Sequence, residues 1–172
     1  MMNRQKSRTE DRKMSRRYFP LFVDISCQKI VVIGGGQVAQ RRIETLLSFG
    51  ADLWVAAPEI TERLKDLAEE GRIRWMREAY SDMLFEKLPD MKILLAATDD
   101  PECNEAAVKE ARKRGILVNA AHKKELCDFY FAAVAGKDEI VAGICASGLS
   151  HKKARRAREA VERALKSMDE EV

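Results

Sequence analysis

Apolar residues along the chain follow two rhythms. Lys29–Ile33 is a continuous apolar run of strand length, and the next segment, Val38–Phe49, places Ala39, Ile43, Leu46 and Leu47 on one helical face before a stop at Gly50. The order then repeats. Leu53–Ala57 predicts a second strand, Glu59–Glu70 a charged amphipathic helix closed by Gly71, and Arg72–Met76 an alternating third strand that suits a sheet edge. The stretch 77–90 has no clear period, whereas Lys92–Thr98 is again continuously apolar. Pro101–Arg114 reads as a helix with proline in its first turn and Gly115 past its end, and Ile116–Asn119 reads as a fifth strand. Short buried strands alternating with helices predict a parallel sheet covered on both faces, because parallel neighbours need crossover helices.

After about residue 128 the rhythm changes. "FYFAAVAGKDEIVAGICASG" predicts two strands turning at Gly136–Asp138, a β-hairpin, and "SHKKARRAREAVERALKSM" predicts a final helix. Ala154, Ala157, Val161, Ala164 and Met168 form a thin stripe on that helix. Its spacing suits a partner helix or a second subunit, and equally an ordinary surface helix.

Composition narrows the class. A chain of 172 residues, 46% of them hydrophobic, can bury one core with a smaller appended segment. Its longest apolar runs are far shorter than a signal-peptide core or a membrane span of roughly 20 residues, so a soluble cytoplasmic protein with no membrane partner is expected. Cys27, Cys103, Cys127 and Cys145 are widely separated and contain no C-x-x-C pair, which points to reduced thiols. The net charge of +3 is concentrated at the ends: residues 1–17 hold seven Lys/Arg against two acids, and 150–167 the same. No aromatic residue is interleaved with these charges, so nucleic-acid binding is not expected, and 1–17 reads as a disordered basic tail.

Candidate chemistry sits at the first strand-to-helix turn, "KIVVIGGGQVAQRR". In the pattern G-x-G-x-x-G/A, the first glycine permits a tight turn and the second lets backbone approach a pyrophosphate. The third, small residue lets helix and strand pack closely, and the helix N-terminus supplies N–H groups and positive dipole. Gly34, Gly36 and Ala39 occupy these places, within a βαβ unit of about 30 residues. The expected fold class is therefore α/β: a Rossmann-type doubly wound parallel sheet over 18–127, followed over 128–172 by a C-terminal β-hairpin plus helix dimerisation segment. The acid that usually holds the adenosine ribose at the end of the second strand is missing from "VAAPE", where Ala57 stands in its place and Glu59 comes two residues late. Backbone groups around Ala57–Glu59 would then contact the ribose.

Several phrases together resemble the precorrin-2 dehydrogenases, the N-terminal module of siroheme synthases. They are the triple glycine followed by V-A-x-R, "LLAATDDPECN", "ILVNAAHKKELCDFYFAAV" and "ICASGLSHKKARRAREAVE". The resemblance implies NAD-dependent oxidation of precorrin-2 to sirohydrochlorin, with metal insertion in some members, by homodimers that hold the tetrapyrrole beside the nucleotide domain. It would place the cofactor against Gly34, Gly35, Gly36, Gln37, Val38, Pro58, Glu59 and Thr98, and the carboxylate-rich substrate against Asn119, Ser147, Ser150, Lys152 and Arg155. Asp99 and Asp100 either orient the ribose or cap the helix at Pro101, and Arg41 and Arg42 either reach the cleft or face water.

Two departures stand out. The family's fifth strand ends in Asn-Val-x-Asp with a proton-handling aspartate, and here Asn119-Ala120-Ala121-His122 puts histidine there, with Glu125 and Asp128 as alternative carboxylates. Histidine also works near neutral pH, so His122 is the catalytic candidate. The family also continues for several more helices, whereas one is expected here, which puts the chelatase step in doubt. His122, His151 and Cys127 match no metal-ligand spacing, so no metal is expected. The alternative function is a weakened nucleotide- or tetrapyrrole-binding partner or regulatory subunit.

Overall fold

The inner strands of the sheet send alternate residues into two separate cores. The computed structural model describes residues 19–146 and 150–168, and these divide into a unit spanning Val23–Phe131 and a second that includes the chain from Ala132. The first unit contains β1 (Lys29–Ile33), α1 (Gln37–Leu47), β2 (Asp52–Ala56), α2 (Glu62–Glu69), β3 (Arg74–Met76), α3 (Met83–Lys87), β4 (Ile93–Ala96), α4 (Pro101–Lys113) and β5 (Leu117–Ala120). Its five parallel strands lie in the order β3-β2-β1-β4-β5. The third strand is at an edge, as its alternation predicts.

The pleat sends Ile30 and Val32 of β1 to one face, where they meet Ala39, Ile43 and Leu46 of α1 and Leu64 and Leu67 of α2. Val31 and Ile33 go to the other face, against Leu84 and Phe85 of α3 and Ala107, Val108 and Ala111 of α4. Both cores exclude water almost completely, which accounts for the unbroken apolar runs of β1 and β4. The strand order reverses between β1 and β4, and ligands of such sheets bind outside the strand C-termini at that reversal.

Local chemistry fixes the helix starts. The Asp100 carboxylate accepts the N–H groups of Glu102 (2.9 Å) and Cys103 (3.2 Å) and so caps α4 ahead of Pro101. α2 begins three residues later than its periodicity suggests. Thr61 is its cap, accepting the Leu64 N–H at 3.4 Å, and residues 57–60 form a loop tied to the glycine turn by Thr61 N–H donating to Gly35 O at 3.0 Å. α3 is missing from the sequence reading because its 5 residues are too few to display a period.

In the second unit, β6 (Ala133–Lys137) and β7 (Ile140–Ile144) pair antiparallel, and α5 (His151–Ser167) follows. The hairpin turns at Asp138-Glu139, one residue later than expected: Asp138 adopts a positive φ of 51°, which its short polar side chain tolerates. The covered face of α5 also differs from the alanine stripe. Leu165 is its buried residue, with Ala154, Arg158 and Val161 half-buried, whereas Ala157, Ala164 and Met168 are exposed. Four residues of a heptad-like stripe are small, so the larger Leu165 wins the burial. The basic tail 1–17 and Ser147 lie outside the described residues.

Candidate functional site

Of the three glycines, two are needed by the protein and one by nothing in it. Gly34 has a φ of +105°, and a Cβ there would stand 2.4 Å from the Ala97 carbonyl oxygen beyond the end of β4. A Cβ at Gly35 would stand 2.3 Å from the Glu59 carbonyl oxygen and 2.5 Å from Ile60 Cγ2. Gly36 has an ordinary φ of −81° and nothing within 4 Å of its missing Cβ. It is the N-cap of α1 and offers no side-chain cap, so the first-turn N–H groups at Gln37 and Val38 have no intrahelical acceptor. The open side of Gly36 and the positive end of α1 thus form an anion cradle. Ala39, fully buried beneath it, keeps helix and strand close.

This cradle is one wall of a cleft of about 680 Å³ in the first unit, a volume suited to a cofactor-sized ligand. Gly34, Gly35, Gly36, Pro58, Glu59 and Thr98 line it, with Asp99 and Tyr80, while Gln37 and Val38 open the helix beside it. Tyr80 comes from the unpatterned stretch 77–90, and its hydroxyl donates to Asp82 at 2.7 Å; burial and this carboxylate push the phenol well above its usual range.

At the adenosine end, the expected backbone contacts are already taken. The Ala57 N–H donates to Met76 O at 3.2 Å, its carbonyl accepts the Trp75 indole N–H at 2.9 Å, and Pro58 has no N–H to give. Glu59, exposed on the loop, is left as the polar group of that segment, and the Arg77 guanidinium stacks 4.3 Å over the Trp75 ring beside it. Asp100 is used as the α4 cap.

At the other end, residues distant in sequence converge. Asn104 is fully buried on α4, and its Oδ1 accepts the Thr98 N–H (3.1 Å) and hydroxyl (2.9 Å). Its Nδ2 donates to Thr98 O at 2.9 Å and lies 3.4 Å from His122 Nδ1. Thr98 therefore lines the cleft with its hydroxyl engaged inward, and His122 is joined to it through Asn104. Sequence reasoning missed Asn104 as a site residue, although it is the last letter of the T-D-D-x-x-x-N phrase. The Asp128 carboxylate, the alternative to the family aspartate, is engaged by Arg112 Nη2 (2.7 Å), Arg112 Nε (3.2 Å) and the Val118 N–H (3.0 Å), which donate to it.

Asn119, 3% exposed on β5, lies outside the cleft lining; its Nδ2 donates to Phe129 O at 2.7 Å, and its Oδ1 is buried without a partner. Arg41 faces water, but Arg42 turns inward, 5.6 Å over the Phe131 ring with Nη1 buried and unpartnered. That burial pulls its pKa down. In the second unit, Ser150 caps α5 by accepting the Lys153 N–H at 3.2 Å, Lys152 is exposed, and Arg155 pairs with Glu159 at 2.8 Å. Among the described residues no helix is long and apolar enough to cross a membrane.

Comparison with known proteins agrees with this geometry. Residues 21–133 match the model of a family described as "Putative NAD(P)-binding". A multifunctional siroheme biosynthesis protein of Ruminiclostridium josui is 40% identical over 126 residues, 73% of this chain and 24% of that protein. Siroheme synthase 2 of Yersinia pestis (strain Pestoides F) is 36% identical over 148 residues, 86% of this chain and 31% of that protein. The chain thus spans about a quarter to a third of these relatives' length. The solved structure of SirC, a precorrin-2 dehydrogenase, superposes with a TM-score of 0.67 over 86% of this chain and 71% of its own, at 23% identity, and shares the fold. The chain belongs to the NAD(P)-binding family, with siroheme synthases among its relatives.

Proposed function

We propose that this protein is an NAD-dependent precorrin-2 dehydrogenase that forms sirohydrochlorin. The observation that carries the reading is the open, uncapped turn at Gly36, an anion cradle at the strand-order reversal that no atom of the described residues fills. NAD, when bound, supplies the hydride acceptor. The residues here fit it: Gly34 and Gly35 fold the turn tightly, Gly36, Gln37 and Val38 present N–H groups to the pyrophosphate, and Pro58 and Glu59 border the adenosine half. Thr98 borders the nicotinamide half, its own polar atoms held by Asn104.

Oxidation removes a hydride and a proton from the tetrapyrrole. His122 faces the substrate at the place where the family carries its aspartate, and Ser147, Ser150, Lys152 and Arg155 serve the substrate carboxylates, whereas Asn119, buried on β5 with its amide donating to Phe129 O, is left out of that set. The hairpin and α5, within 128–172, form a homodimer contact, and the protein works in the cytoplasm. The relatives' names, the siroheme phrases in the sequence and the cleft all support this reading.

The test is an anaerobic assay of precorrin-2 with NAD and, separately, NADP, followed at the nicotinamide absorbance. Turnover with NAD, and loss of most of it in His122→Asn with cofactor binding retained, is expected. Binding of NAD or precorrin-2 in calorimetry with no turnover would replace the enzyme by a regulatory binding subunit. Addition of Fe2+ or Co2+ to the product then reads out chelation.

A further inference from the structure

We propose that Asn104 is a positioning residue that fixes His122 in its Nε2–H form, so that the imidazole offers a proton to a bound carboxylate and does not collect one from the substrate. The inference rests on the reading that His122 faces the substrate, and it changes the role given to it there.

The donors and acceptors around Asn104 have fixed identities. The Thr98 backbone N–H can only donate, so the Asn104 atom 3.1 Å from it is the carbonyl Oδ1. The Thr98 carbonyl can only accept, so the atom 2.9 Å from it is Nδ2. The amide is thus pinned at both ends, and because Asn104 is fully buried no water competes for either. An amide nitrogen has no lone pair to give, so the His122 Nδ1 atom 3.4 Å away must be the acceptor. The ring proton then resides on Nε2, the ring nitrogen that Asn104 does not engage, on a side chain that is exposed.

The chemical consequence is directional. A base needs a lone pair where the proton arrives, and here the Nδ1 pair is directed at Asn104 while Nε2 already carries hydrogen. Protonating the ring would put an N–H against the Asn104 N–H. A carboxylate on the substrate, in contrast, meets a ready donor at Nε2, and the proton lost in the oxidation passes to water. The aspartate of the family is acceptor-only when ionised; the histidine here, held in this way, is its opposite.

Two charged neighbours of the ring are paired with each other. Glu105 on α4 and Lys123 after β5 pair with each other at 2.7 Å, and that contact holds the Glu105 carboxyl below its usual range and the Lys123 ammonium above its own. Both keep their charge throughout the range in which imidazoles titrate, roughly pH 5 to 8.

The test is long-range proton–nitrogen NMR of histidine-labelled protein without substrate. The chain has 2 histidines, and His151→Gln assigns them. In the wild type at pH 8, His122 is expected to show a protonated Nε2 and an acceptor Nδ1. In Asn104→Asp the carboxylate accepts, and the proton is expected to move to Nδ1. A second measurement needs no core variant: in the wild type, the Asn104 side-chain amide signals should shift in step with His122 as acid is added. An Nδ1–H form in the wild type, an unchanged pattern in folded Asn104→Asp, or amide signals indifferent to His122 protonation would each overturn the proposal. No turnover is measured, so a protein that shows the expected tautomer but fails to oxidise precorrin-2 refutes the enzymatic reading alone.

Discussion

Replacing Gly34 and Gly36 separately by alanine should separate the two demands that the glycine turn combines. At Gly34 the backbone has φ +105°, where an L side chain costs about 1–3 kcal/mol. The new Cβ would also stand 2.4 Å from Ala97 O, in a residue whose own N–H donates to Ile33 O at 2.8 Å, so relief requires β1 or the end of β4 to move. Overpacking of this kind adds about 1–3 kcal/mol. Together the loss is about 2–6 kcal/mol, a large part of a typical domain's stability. For a chain of this size, that is a fall in Tm of about 4–24 °C.

At Gly36 the φ is −81° and no atom lies within 4 Å of the Cβ position. The fold should lose no more than the small difference between glycine and alanine at an N-cap, about 0.5–1 kcal/mol. A pyrophosphate lying on the open side of the turn, however, must retreat from a methyl group. A tenfold weaker Kd for NAD corresponds to about 1.4 kcal/mol and is the minimum expected loss. Urea unfolding and NAD calorimetry on both variants check this. A Gly36→Ala protein that binds NAD with wild-type affinity would refute the cradle, and a Gly34→Ala protein with wild-type stability would refute the steric account of the first glycine.

Two further outcomes follow from the first unit. Asp128→Ala strands the buried Val118 N–H and frees Arg112, and should cost about 1–3 kcal/mol in urea unfolding with NAD affinity unchanged; a fall in affinity would give Asp128 a role in the site. Burial pushes the Cys103 and Cys127 thiols above their usual range, whereas Cys27 is exposed. Iodoacetamide at pH 8 should therefore modify Cys27 well before those two, as read by peptide mass spectrometry. Because these folded-state values are raised, the stability they contribute is fully present below the unfolded thiol pKa and is lost as pH rises through the folded values. Urea midpoints should fall on the alkaline side of about pH 8.5, and replacing both thiols by alanine should flatten that fall.

The parts of this protein that could be read from sequence are those where one physical demand acts alone. β1 and β4 are buried on both faces, so their apolar runs are unbroken, and the helices at Gln37 and Pro101 carry their own start signals. Where two demands overlap, the reading fails. α2 shares the stretch 59–61 with the loop that braces Gly35, and the brace wins, so the helix waits for Thr61. α5 offers both an alanine stripe and Leu165, and the larger apolar area takes the core. α3 and Tyr80 lie in a segment whose burial is set by α4 and β4 and by nothing local.

The site divides along the same line. The glycine turn is legible because backbone geometry, an intrinsically local property, dictates its residues. The His122 end is not, because its chemistry depends on which atoms of Asn104 meet Thr98, a pairing made only when α4 packs on the sheet. From sequence, an exchange of aspartate for histidine looks like one base replacing another. In the fold, a buried amide that must donate turns the exchange into a reversal of polarity, from a group that accepts hydrogen bonds to one that gives them. The residue that decides this carries no charge and does not itself line the cleft. A substitution at Asn104 should therefore alter His122 while leaving the cofactor cradle as it is.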